Sequence, residues 1–191
     1  MDLPSAHQTF LRDEFHGLVL QATLQRARVY APGLSERVHE RFRAGLRDVL
    51  EGTASDYALT VGEPQHLERI ADLAKRMSAD HSEALRGGRF RIGPAQKALN
   101  LFLKYLWCMG WIPTPPHCPF DARIIGRLPT RDRVNWTTLD DLAQYQGLVV
   151  AARGLAGSKS LAEWELYEYN SLSTVATRQP KRPLNLPGRA G

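Results

Sequence analysis

The 191-residue sequence predicts an all-α fold, a compact multi-helix bundle built round one central apolar helix. Apolar residues recur at helical spacing along most of the chain, and no alternating strand pattern of useful length occurs. One segment, 94–109, is apolar almost all round, as the central helix of a bundle has to be. Prolines and glycines fall between the periodic stretches, where helices end.

The first helix is expected from Ala6 to Val29, with Phe10, Phe15, Leu18 and Ala22 on one side and Pro32-Gly33 beyond its end. The second begins near Ser35, carries Leu34, Val38, Phe42, Leu46 and Val49/Leu50 as one stripe, and stops at Gly52. Pro64 fits the first turn of a third, whose stripe is Leu67, Ile70, Leu73 and Met77, and which Gly87-Gly88 breaks. The fourth, Pro94 to Met109, holds Leu99, Leu101, Phe102, Leu103, Tyr105, Leu106 and Trp107. Lys97, Asn100, Lys104 and Cys108 fall on one narrow stripe of it. Isolated buried charge is costly, so that stripe should face water, a partner or a cavity, and the simplest assignment is the solvent side.

Gly110 to Pro119 holds four prolines and cannot continue a helix. A short helix from Pro119 or Phe120 to Arg127 follows, ahead of Pro129. Trp136-Thr137-Thr138 then leads into a helix through Ala152, with a threonine as its cap. Ser160 and Glu163 are spaced as a capping box for the last helix, which carries Trp164, Leu166, Tyr167 and Tyr169. Residues 1–173 read as one domain. Residues 174–191, rich in Pro, Arg and Lys and free of acid, read as a basic disordered tail.

Two cysteines, Cys108 and Cys118, make no disulfide framework. No signal peptide is recognisable, and no apolar run is long enough to span a bilayer. These features predict a cytoplasmic protein with no membrane partner. Cys108, His117, Cys118 and Asp121 are metal-competent types, but adjacent His117 and Cys118 rarely converge on one ion. No metal and no cofactor is expected. Nothing identifies a base that would activate Cys118 as a nucleophile. His39, His66 and His81 lie on polar helix faces and are expected in solvent, while Trp107 and Trp164 are expected in the core. Trp111, in the Pro-rich turn, is the candidate for stacking on a base.

The net charge of +5 is unevenly distributed. Residues 86–133 hold nine basic side chains against two acidic ones, residues 1–85 and 134–173 are each −3, and the tail is +4. A concentrated basic stretch is the footprint expected of a phosphate-backbone binder, or a solvated face paired to acidic flanks.

The same stretch carries the most specific residues. Ile92-Gly93-Pro94 opens a helix, Lys97-Ala98 follows within one turn, and Pro119-Phe120-Asp121 leads into Ala122-Arg123-Ile124-Ile125. This order resembles the helix-hairpin-helix DNA glycosylase superfamily. Ser160 to Tyr167 is also similar to a late helix of the small 8-oxoguanine glycosylase/lyases. Together these segments cover roughly a quarter of the chain. Arg91 stands where the hairpin's first glycine is usual, and the Lys-to-Asp interval of 24 residues is longer than the family's.

The resemblance implies a DNA partner, lesion-bearing or abasic, and base-excision or AP-lyase chemistry. It implies Lys97 as nucleophile and Asp121 as the carboxylate that activates it or stabilises an oxocarbenium-like sugar. It places Gly93 in a turn whose N–H groups hold a phosphate. Arg89, Arg91, Lys104, Arg123 and Arg127 would contact the backbone. Two other classes fit the same charge pattern. One is a non-catalytic nucleic-acid-binding or partner subunit of a bacterial repair or defence complex; the other is a protein-only interaction module, without salt-dependent DNA affinity.

Overall fold

A computed structural model of the chain describes residues 5–129 and 134–177. Among these residues there are seven α-helices: α1 (Ala6–Ala27), α2 (Glu36–Ala54), α3 (Glu63–Asp80), α4 (Ile92–Cys108), α5 (Ala122–Ile125), α6 (Leu142–Ala156) and α7 (Leu161–Thr177). The only pairing of extended backbone among them is a single antiparallel bridge between Tyr30 and Leu85. The all-α expectation therefore holds, with α4 at the centre against α1, α2, α3 and α6.

The stripes predicted for α2 and α3 are buried, but that predicted for α1 is not: Phe10 and Leu18 are exposed, and α1 turns His16, Val19, Thr23, Leu24 and Ala27 inward. Phe42, Leu46, Val49 and Leu50 of α2 meet Leu67, Ile70, Leu73 and Met77 of α3 in one core with Leu99, Phe102, Leu103 and Leu106 of α4. Several ends differ from expectation. α1 stops at Ala27, where Arg28 turns left-handed at φ +46°. α2 runs through Gly52 to Ala54, and α3 ends at Asp80, well before Gly87-Gly88. Asp141, not a threonine, caps α6 by accepting the Ala143 N–H at 2.7 Å. The Ser160–Glu163 capping box forms at the start of α7, with Glu163 N–H on Ser160 Oγ and Ser160 N–H on Glu163 Oε2. α7 continues to Thr177, past the proposed boundary at 173; the rest of the basic tail lies outside the described residues.

The polar stripe of α4 does not face solvent. Lys97, Asn100 and Lys104 are all buried, and only Cys108 is exposed. Asn100 sits in a directional hydrogen-bond chain. The Tyr57 hydroxyl donates to His66 Nδ1 (2.5 Å), and His66 Nε2–H donates to Asn100 Oδ1 (2.9 Å). Asn100 Nδ2 donates to Tyr145 Oη (3.1 Å), whose hydroxyl hydrogen goes to His117 Nδ1 (2.9 Å). Each partner fixes the tautomer of the next ring, so the chain locks α3, α4, α6 and the Pro-rich turn together.

His66 and His81 are thus core residues rather than solvated ones, and Trp107 is only partly buried while Trp164 is in the core. Burial drives both His66 and His117 down to a pKa of about 3, with further lowering from their mutual repulsion at His66 and from Arg153 at His117. The unfolded chain therefore binds more protons than the native one between about pH 6.5 and about pH 3. Stability is expected to fall as pH drops through that window. The measurement is urea unfolding at stepped pH: His66→Gln should flatten the acid limb, and an unchanged limb would remove these histidines as its cause.

Candidate functional site

Lys97 and Asp121 are joined by a register between the start of α4 and the turn ahead of α5. Gln96 Nε2 donates to the Phe120 carbonyl (2.8 Å), and Phe120 N–H donates back to Gln96 Oε1 (3.1 Å). This two-way clamp, buried throughout, places each next residue opposite the other. Lys97 Nζ then lies 3.3 Å from Asp121 Oδ2. The other Asp121 oxygen accepts the N–H groups of Arg123 (2.9 Å) and Ile124 (3.2 Å), capping α5. One carboxylate oxygen is structural and the other faces the amine.

The pair lies in a cleft of ≈ 550 Å³ walled by α1, α4 and α7, to which Arg26, Lys97, Lys104, Asp121, Arg123 and Glu165 contribute charge. Lys97 is 4% exposed, and its amine stands 4.4 Å over the Trp136 ring. Burial lowers its pKa below the usual 10.5, against the opposing pull of Asp121, and Arg26 lowers it further. Two turns along α4, Lys104 Nζ donates to Glu165 Oε2 at 2.5 Å, with both side chains nearly closed from solvent. Burial raises the Glu165 pKa, and Lys104 opposes that rise. The Tyr169 ring lies under both cations, 4.7 Å from Lys104 and 4.9 Å from Arg123.

Three of the basic candidates lie outside the cleft. Arg89 is exposed and 3.1 Å from Asp140, Arg91 precedes α4, and Arg127 is 3.5 Å from Glu168. Lys104 is committed to Glu165 inside the cleft, so it does not belong to an outer phosphate-contacting face. Gly93 is a correction to the expected hairpin: its N–H already donates to the Leu139 carbonyl (2.8 Å) and the residue is buried. No phosphate can take that N–H while the native packing persists. Trp111 is also placed differently from the stacking role. It packs on Phe15 (6.0 Å between centroids) under Arg12 (5.8 Å) and does not line the cleft, where the aromatic side chains are Tyr105 and Tyr169.

Glu165 is the functional-site residue that sequence reasoning misses. Its signal is its register: on α7 it falls with buried Leu161, Ala162 and Trp164 rather than with exposed Glu163. Cys118 is buried with its thiol pKa pushed well up by desolvation, which argues against a thiolate there. Among the described residues no group of three or more His, Cys, Asp or Glu side chains is arranged to hold a metal ion, and no helix is long and apolar enough to cross a membrane. Comparison with protein-family models, with curated protein sequences and with solved structures gives no match to this chain.

Proposed function

We propose that the cleft acts on DNA, receiving a damaged or abasic nucleotide, with Lys97 as the amine nucleophile and Asp121 as its proton acceptor. The observation that carries this reading is the 3.3 Å Lys97–Asp121 pair in an open cleft, with an amine whose pKa burial lowers. A neutral amine is nucleophilic, and a carboxylate within hydrogen-bond reach can take its proton. The amine lone pair bonds to C1′ of the deoxyribose as the glycosidic bond breaks with its electrons going to the base; at an abasic site the C1′ hydroxyl leaves instead, as water, with a proton from solvent. Asp121 takes the ammonium proton and passes it to O4′ as the sugar ring opens at C1′–O4′, which leaves an iminium on Lys97. A base inside duplex DNA is out of reach, so the nucleotide has to be extruded into the cleft.

Borohydride trapping on a panel of abasic and lesion-bearing duplexes is the test. The wild type should give a covalent adduct whose yield rises with pH and levels off below 10.5, because Lys97 loses its proton below the ordinary lysine value. Lys97→Gln should abolish the adduct while DNA affinity stays within about threefold, since one buried side chain contributes little to phosphate binding. Asp121→Asn keeps an α5 cap and should lower the trapping rate by about 10²-fold or more. A wild type that binds DNA but never traps would transfer the chain to the non-catalytic binding class.

A further inference from the structure

We propose that a notch between the C-terminus of α1 and the N-terminus of α4 is a phosphodiester-binding site, in which Arg28, Arg86 and Arg91 hold consecutive phosphates of a nucleic-acid backbone. The proposal rests on the reading of the adjoining cleft as a DNA site.

Most arginines elsewhere on the described surface are neutralised. Arg12, Arg41, Arg43, Arg47, Arg69, Arg76, Arg127 and Arg153 each have a carboxylate within 4.0 Å. Apart from Arg37 on α2, the described arginines without such a partner line either this notch (Arg28, Arg86, Arg91) or the cleft (Arg26, Arg123). The fourth arginine of the notch, Arg89, shares its charge with Asp140. Like charges gathered without counter-ions repel one another, and a polyanion is the ligand that relieves this.

The backbone builds this arrangement. Arg86 N–H donates to the Val29 carbonyl (2.8 Å) and Ala31 N–H to the Ala84 carbonyl (3.0 Å), an antiparallel bridge that sets the Arg28 and Arg86 segments side by side. Arg28 is the only non-glycine described residue with positive φ, a conformation that glycine would adopt without steric cost. The start of α4, which adds the positive end of its dipole, has no acidic residue in its first turn and no side-chain cap.

The notch adjoins the cleft through sequence neighbours on both helices. Ala27 and Arg28 line the notch and Arg26 the cleft, while Pro94 lines the notch and Lys97 the cleft. A strand seated on the arginines is therefore led to Lys97. The spent N–H of Gly93 takes no part, so guanidinium groups replace the hairpin amides as the phosphate ligands.

Anisotropy of a labelled duplex containing a tetrahydrofuran abasic analogue, titrated at several salt concentrations, tests this. Arg28→Gly and Arg86→Ala should each weaken binding on the order of fivefold and flatten the slope of log K against log salt by about 0.9. Arg28→Gly should fold at least as well as the wild type, since glycine accepts φ +46°. Arg76→Ala, a surface arginine of α3 outside both sites, is the control and should change neither quantity. Borohydride trapping in both notch variants should need more abasic DNA to reach half its plateau, in step with the lost affinity. Wild-type affinity and slope in Arg28→Gly and Arg86→Ala, or equal competition by a polyglutamate peptide, would overturn the site. Flattened slopes in a protein that never traps support the notch and reject the lysine chemistry; trapping with unchanged slopes does the reverse. A wild type with no salt-dependent DNA affinity overturns both.

Discussion

Gly93→Ala is expected to destabilise the protein by about 3 kcal/mol or more, the upper end of overpacking costs. A Cβ at this position would lie 1.7 Å from the Trp136 carbonyl oxygen, 2.8 Å from its carbon and 3.2 Å from Leu139 Cβ. Two of these atoms are backbone, so no rotamer change relieves the contact. The Gly93 N–H to Leu139 carbonyl bond ties the same two segments together, and pushing them apart breaks it as well. Because the Trp136 ring supports the Lys97 amine at 4.4 Å, the displacement also reaches the cleft. For a chain of this length a loss of 3 kcal/mol lowers Tm by roughly 6–12 °C. Trapping should fall with it, even at temperatures where the variant is still folded. Gly17→Ala is the matched control: Gly17 lies on α1 with nothing within 4 Å of a built Cβ, and alanine there should stabilise by about 0.5–1 kcal/mol. Equal melting of Gly93→Ala and the wild type would show that the close approach of α4 to the 136–139 segment is not part of the native fold.

The role of Gly93 illustrates where sequence reasoning reaches and where it stops. That glycine stood out at the head of a helix, and a phosphate-binding turn is one reason for a glycine there; close approach of another backbone is the other. Nothing local distinguishes them, because Trp136 and Leu139 approach from more than 40 positions away. The amphipathic stripes of α2 and α3 were legible because each is a local pattern repeated over several turns. Helix ends were less so. Gly52 is carried inside α2 because a helical glycine costs about 1 kcal/mol, less than the burial of neighbouring Val49, Leu50 and Ala54 returns. At α6 the chain offers Thr137, Thr138, Asp140 and Asp141 in close succession, all competent caps, and packing selects the last.

The candidate site divides in the same way. Lys97 and Asp121 were legible through their order along the chain, and the Gln96–Phe120 clamp shows how a 24-residue gap is closed. The partners of Asn100 and Lys104 were not, because His66, Tyr145 and Glu165 arrive from 34, 45 and 61 residues away. A polar stripe on an apolar helix carries the same sequence pattern whether water or a remote side chain satisfies it. Burial of Lys97, Asn100 and Lys104 decides for the latter.

The Lys104–Glu165 pair gives the second large effect. Glu165→Gln is expected to cost about 3–5 kcal/mol, because it leaves the nearly buried Lys104 ammonium on the cleft wall without its counter-charge. Lys104→Met should cost a similar amount by stranding the carboxylate. Combining Lys104→Met with Glu165→Leu removes both charges at nearly constant volume, and should restore stability to within about 1 kcal/mol of the wild type or exceed it. Urea unfolding of the wild type, Lys104→Met, Glu165→Leu and the double variant closes the cycle, and simple addition of the two single losses would show that the charges do not interact. The double variant also asks what the pair does for the cleft. Glu165 is among the charges that raise the Lys97 pKa, so its removal should move the trapping profile to lower pH. Retained trapping with that acid shift assigns Lys104 and Glu165 to packing and to tuning Lys97. A folded double variant that no longer traps places them in the chemistry itself.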